Sequence, residues 1–151
     1  MATGPAIYVE SRSVQERNEH WGYCRRSEIP YVTVYRRGSY VSIDWDLWAV
    51  DVAGLGLTLE ASQAIDRYLR TLVADSKIQE WGVGSVYGFA KVKREVESEV
   101  IAKIWAIVSD SKNWSIKGHR QFSVFEGQAQ REDGSLSEYR LSLDPPIRRE
   151  V

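Results

Sequence analysis

A chain of 151 residues with 43% hydrophobic and 27% charged side chains can bury one sizeable core, which excludes global disorder and argues for a single domain over residues 1–151. Its 20 Lys and Arg stand against 21 Asp and Glu, so there is no overall basic footprint of the kind that draws proteins to duplex nucleic acid. Cys24 is the single cysteine, which excludes an internal disulfide and fits a reducing compartment.

The first residues lack the basic start and apolar run of a secretory signal, and no apolar stretch is long enough to span a membrane as a helix. The expectation is a soluble cytoplasmic protein. In chain order, Ala6–Glu10 is a short β-prone run after Gly4-Pro5. Ser13-Val14-Gln15-Glu16 then matches a capping box, in which the Ser oxygen takes an orphan helix N–H. The spacing predicts a short polar helix from about Val14 to His20, stopping near Gly22.

Tyr31 to Asp46 reads as a β-hairpin. Gly38-Ser39 suits a two-residue type II′ turn, because Gly occupies the position where φ is positive. That turn sets Arg37 opposite Tyr40, Tyr35 opposite Ser42, Thr33 opposite Asp44 and Tyr31 opposite Asp46. Side chains alternate between faces. One face collects Val32, Val34, Val41, Ile43 and Trp45 and is the predicted core face. The other collects Tyr31, Thr33, Tyr35, Tyr40, Ser42, Asp44 and Asp46 and is predicted to be exposed. Unbroken alternation would bury Asp51 without a partner, so a bulge or strand break is expected after Asp46.

Thr58 caps a predicted helix over about Leu59 to Ala74, whose buried stripe is Ile65, Tyr68, Leu69, Leu72 and Val73. Trp81 to Ala90 is either a Gly-broken strand or a loop. A second amphipathic helix is expected from about Lys93 to Ser109 with Val96, Val100, Ile104, Ile107 and Val108 inward. Gln121–Gln130 and Leu136–Leu143 flank Asp133-Gly134, a hairpin signal. Asp144-Pro145-Pro146 cannot continue a central strand, so residues 144–151 are expected to fray. Hairpins alternating with helices, without strict βαβ order, define an α+β class. The expected architecture is a mostly antiparallel sheet built from two hairpins, with both long helices packed on one face.

Among possible sites, Asp44 and Asp46 stand at i and i+2 of one strand and point the same way. They could hold a Mg or Mn ion, with Asp51 joining past the break, and this is the basis of an alternative reading as a small metal-dependent phosphodiesterase or nuclease. No third ligand sits at a diagnostic spacing. Gly82, Gly84 and Gly88 do not form a dinucleotide or P-loop fingerprint. Arg25 and Arg26 beside Cys24 would favour a thiolate, and His20 lies four residues earlier; a structural thiol is the simpler expectation. Basic and aromatic residues interleave in His20-Trp21-Gly22-Tyr23-Cys24-Arg25-Arg26 and Tyr35-Arg36-Arg37-Gly38-Ser39-Tyr40, which suits a single-stranded nucleic-acid binder as a third reading, although Asp44 and Asp46 would repel phosphate.

The favoured reading is a non-enzymatic protein-binding module of inhibitor or immunity type, with no cofactor. Tyr31, Thr33, Tyr35, Tyr40, Asp44 and Asp46 form its expected contact surface for a partner protein with a basic face.

Overall fold

The computed structural model describes residues 6–47, 55–84, 86–116, 124–130 and 136–142. They form an α+β unit around a seven-stranded, mostly antiparallel sheet. The first strand, β1 (Ile7–Ser11), leads into α1 (Val14–Arg26), which returns the chain to β2 (Tyr31–Arg37) lying parallel to β1. A parallel pair needs such a crossover, since a tight turn joins only antiparallel neighbours.

Ser13 caps α1 by accepting the Glu16 N–H at 3.0 Å, while the Glu16 carboxylate accepts the Arg12 N–H at 2.6 Å. The expected stop near Gly22 does not occur. One interior glycine costs a helix about 1 kcal/mol, and the turn beyond it buries Cys24 and places Arg25 against Asp46. The helix instead ends at Ser27, where Glu28 takes a left-handed φ of 56°.

β2 and β3 (Tyr40–Asp46) pair antiparallel across Gly38, whose φ is +61°, with Tyr31 opposite Asp46, Thr33 opposite Asp44 and Arg37 opposite Tyr40. Trp81 to Ala90, either a Gly-broken strand or a loop by sequence, belongs to a second hairpin, made of β5 (Ile78–Val83) and β6 (Tyr87–Lys93). β6 pairs with β3 and sets Phe89 opposite Asp44 and Gly88 opposite Trp45. The closing hairpin, β8 (Val124–Gln130) with β9 (Leu136–Ser142), joins through β5, so the order is β1-β2-β3-β6-β5-β8-β9. Leu55–Leu57 (β4) and Trp114–Ile116 (β7) make a separate two-stranded ribbon. The Asp133-Gly134 turn, the expected bulge beyond Asp46 and the tail 144–151 lie outside the described residues.

Two helices of 12 residues, α2 (Leu59–Arg70) and α3 (Glu97–Val108), pack on one sheet face. Both are shorter than sequence periodicity suggests, because turns occupy residues 71–76 and a 3₁₀ turn, Arg94–Val96, precedes α3. Ile65, Leu69, Val100, Ile104 and Val108 meet Val32, Val34, Val41, Ile43, Trp45, Ala90 and Val92 in one core. Gly88 lies under the Trp45 indole, and a Cβ there would overlap the ring. α1, at 13 residues the longest of the three, packs against β1 and β2. It lies on the opposite face of the sheet, since its Trp21 and Arg25 reach Thr33 and Asp46, which face away from that core. Two long helices on a single face is therefore incomplete: a third helix covers part of the other face.

Candidate functional site

The face predicted to be exposed lies largely beneath α1. Tyr31 is 3% exposed, Thr33 0%, Asp44 6% and Asp46 1%, whereas Tyr35 and Tyr40 are half-buried. α1 reaches the face through polar contacts. Trp21 Nε1 donates to Thr33 Oγ1 at 3.0 Å, and Arg25 donates from Nε and Nη2 to Asp46 Oδ2 at 3.1 and 2.5 Å. The Tyr31 hydroxyl donates to the same oxygen at 3.1 Å, and burial, followed by the Asp46 charge, pushes the phenol pKa well up. Tyr31, Thr33 and Asp46 thus hold α1 on the sheet. The expectation that they form an open contact surface is corrected by the helix that covers them.

Beside α1 the face opens into a groove of about 350 Å³. Arg17 and Trp21 form its helical wall, Ser42 and Asp44 come from β3, Tyr87, Phe89 and Lys91 from β6, and Glu80 from β5. The Arg17 guanidinium stacks on Trp21 with 4.4 Å to the ring centroid and lies 5.6 Å from that of Tyr35, and its buried Nε makes no hydrogen bond. Lys91 Nζ sits 5.9 Å from the Tyr40 ring centroid at the rim.

Asp44 is the chemically distinctive group. Among the described residues it accepts one long hydrogen bond, from the Tyr87 hydroxyl at 3.5 Å. Burial raises its pKa from 3.8 to about 6, Asp46 adds like-charge repulsion, and Arg17 and Tyr87 oppose the rise. A carboxylate at this depth with so little hydrogen bonding is held at some cost to the fold, which is a common mark of a working group.

Asp44 and Asp46 share a face, as their spacing required, yet Asp46 is held by Arg25 and Tyr31. Among the described residues no three His, Cys, Asp or Glu side chains group to hold an ion, and Asp51 lies outside those residues. Gly82 and Gly88 face each other's strands in the β5–β6 hairpin and do not cradle a helix start. Cys24 is buried and its thiol is pushed up by burial first and the Asp46 charge second, opposite to the thiolate that Arg25 and Arg26 suggest in the sequence. His20 Nδ1 lies 2.9 Å from Ser11 Oγ, so it is engaged away from Cys24.

Sequence reasoning missed Arg17, Glu80, Tyr87, Phe89 and Lys91, and it named Trp21 only within a basic–aromatic stretch suited to single-stranded nucleic acid. Part of that signal was present. Tyr87-Gly88-Phe89-Ala90-Lys91-Val92-Lys93 alternates large or charged residues with small or apolar ones, the period of a half-buried strand. Arg17 and Trp21 stand at i and i+4 of a helix, where they stack.

No protein-family model matches the chain, and no curated protein matches it in sequence. Among solved structures, the C-Ala domain of alanyl-tRNA synthetase from Aquifex aeolicus is similar at 15% identity, over 70% of this chain and 91% of that domain, with a TM-score of 0.43. A likeness at that level informs neither the site nor the function. No helix among the described residues is long and apolar enough to cross a membrane.

Proposed function

We propose that this chain is a non-enzymatic binding module, of the inhibitor or immunity type, that engages a partner protein through the groove beside α1. Tyr35 and Tyr40 stand next to its lining residues Arg17 and Lys91, and Asp44 is the acceptor for a donor group carried by the partner. The observation that carries the reading is Asp44: a carboxylate 6% exposed that lines the groove and, among the described residues, accepts a single hydrogen bond of 3.5 Å. A donor entering the groove would satisfy it, and the surrounding rings supply contact area at low entropy cost. Tyr31, Thr33 and Asp46 support the site by fixing α1, so their role is positioning. The partner makes contact where its own side chain is fully desolvated, the condition under which one charged pair dominates affinity.

The test uses purified wild-type chain and Asp44→Asn as baits in lysate of the native host. Any protein retained by the wild type is then purified and measured against both by calorimetry. Truncating a desolvated charge pair costs about 2 kcal/mol or more, so affinity should fall about 30-fold or further in the variant. Equal affinity for both chains would remove Asp44 from the interface and sink the reading.

A further inference from the structure

The two carboxylates of β3 that face α1 begin alike and end differently. Each accepts a tyrosine hydroxyl: Tyr31 on Asp46 at 3.1 Å, Tyr87 on Asp44 at 3.5 Å. Asp46 also receives the fork of Arg25, from Nε and Nη2 at 3.1 and 2.5 Å. Among the described residues no guanidinium hydrogen-bonds to Asp44, whose one partner is Tyr87. Phe89 stands directly opposite Asp44 in the β3–β6 pairing, which puts an aromatic side chain next to the carboxylate on the same face. A planar cation that forks onto a carboxylate while lying on a ring is the particular habit of arginine, and a lysine ammonium cannot reproduce both contacts.

The groove's own charges set a second requirement. Asp44 and Glu80 are balanced by Arg17 and Lys91, all four lining the same space. A uniformly basic segment would meet two cations as well as two carboxylates. A segment carrying a guanidinium and, next to it, a carboxylate meets all four with opposite sign.

We infer that the groove takes an arginine side chain of the partner, forked on Asp44 against Phe89, from a segment whose neighbouring residue is acidic. This rests on the binding-module reading above and narrows its partner from a generally basic surface to a mixed-charge segment with one arginine anchor.

The experiment is a nitrogen-15 NMR titration of the full chain with three blocked dipeptides: N-acetyl-arginyl-glutamate amide, its lysyl counterpart and its citrullyl counterpart. Citrulline keeps the planar shape and loses the charge. The Trp21 indole N–H and the backbone amides of Asp44 and Phe89 report on the groove. The expected result is saturable shifts with the arginyl peptide at millimolar concentration, at least five-fold weaker binding of the other two, and loss of the response in Asp44→Asn. Equal binding of the lysyl peptide would overturn the arginine assignment. So would a silent wild type that binds the arginyl peptide only as Arg17→Gln, since Asp44 would then be served by the chain's own arginine. If no dipeptide binds while a partner protein still depends on Asp44, the arginine anchor is wrong and the binding module stands. If the arginyl peptide binds at Asp44 while no partner protein depends on that residue, the anchor stands and the protein-partner reading fails.

Discussion

Replacing Asp44 with Asn should stabilise the folded chain at neutral pH, the reverse of what removing a buried hydrogen-bonding carboxylate usually does. The carboxyl is shifted from 3.8 to about 6 chiefly by burial, so the ionised form is disfavoured in the folded state. Two pH units of displacement correspond to about 3 kcal/mol. The sign follows from linkage. Between pH 3.8 and about 6 the folded chain holds a proton that the unfolded chain has released, so wild-type stability from this group is fully present below 3.8 and lost as pH rises through 6. Asn keeps an acceptor for the Tyr87 hydroxyl and carries no charge. The variant's advantage should therefore be near zero at pH 4 and approach about 3 kcal/mol at pH 8. The charged and titratable groups facing Asp44 are Arg17 from α1, Asp46 from β3, Tyr87 and Lys91 from β6 and Glu80 from β5; Arg17, Tyr87 and Asp46 act on its charge within the same net shift, and those interactions are lost with the charge in the variant. Urea unfolding followed by Trp fluorescence, at several pH values from 4 to 8, measures it. A variant less stable than wild type at pH 8, or a difference that does not change with pH, would refute the reasoning.

Gly88→Ala should destabilise the chain by about 1–3 kcal/mol, because its Cβ overlaps the buried Trp45 indole. A double-mutant cycle with Trp45→Phe should recover part of that loss; additive effects would remove the steric explanation. Arg25→Met removes the guanidinium from the buried Asp46, to which the Tyr31 hydroxyl still donates. About 2–4 kcal/mol should be lost, toward the low end because Arg25 is half exposed, and denaturant midpoints will show whether it is. Cys24, buried with its thiol pKa raised by burial, should resist iodoacetamide at pH 8 in the folded chain and react on denaturation; rapid labelling of the native protein would contradict its placement.

The hairpin and its two faces were legible because the determinants are local. Gly38-Ser39 allows one tight turn, the turn sets Tyr31 against Asp46, and strict alternation then divides apolar from polar side chains. The buried stripes of α2 and α3 were legible for the same reason, with Ile65, Leu69, Val100 and Ile104 recurring at helical spacing. What covers the polar face was not. α1 reaches it by a parallel crossover, and its closing contact joins Arg25 to Asp46 across 21 positions. Gly22 also signalled a helix end that tertiary contacts overrode. Asp44 and Asp46 were correctly placed on one face, but the two are separated by partners no local pattern names. Asp46 became part of the scaffold and Asp44 the floor of a groove. The aromatic half of that groove was hidden in Trp81–Ala90, where glycines obscured the strand alternation; Gly88 is there to admit the Trp45 ring.

In the free protein no cationic side chain among the described residues is bound to Asp44 in the groove. Its side-chain carboxyl carbon-13 shift, followed by NMR from pH 3 to 8, reports that directly. The structure predicts a midpoint near 6, and a midpoint that falls when N-acetyl-arginyl-glutamate amide is added. A midpoint below 4 in the free chain would contradict the claim, because the carboxylate would then already be paired from within.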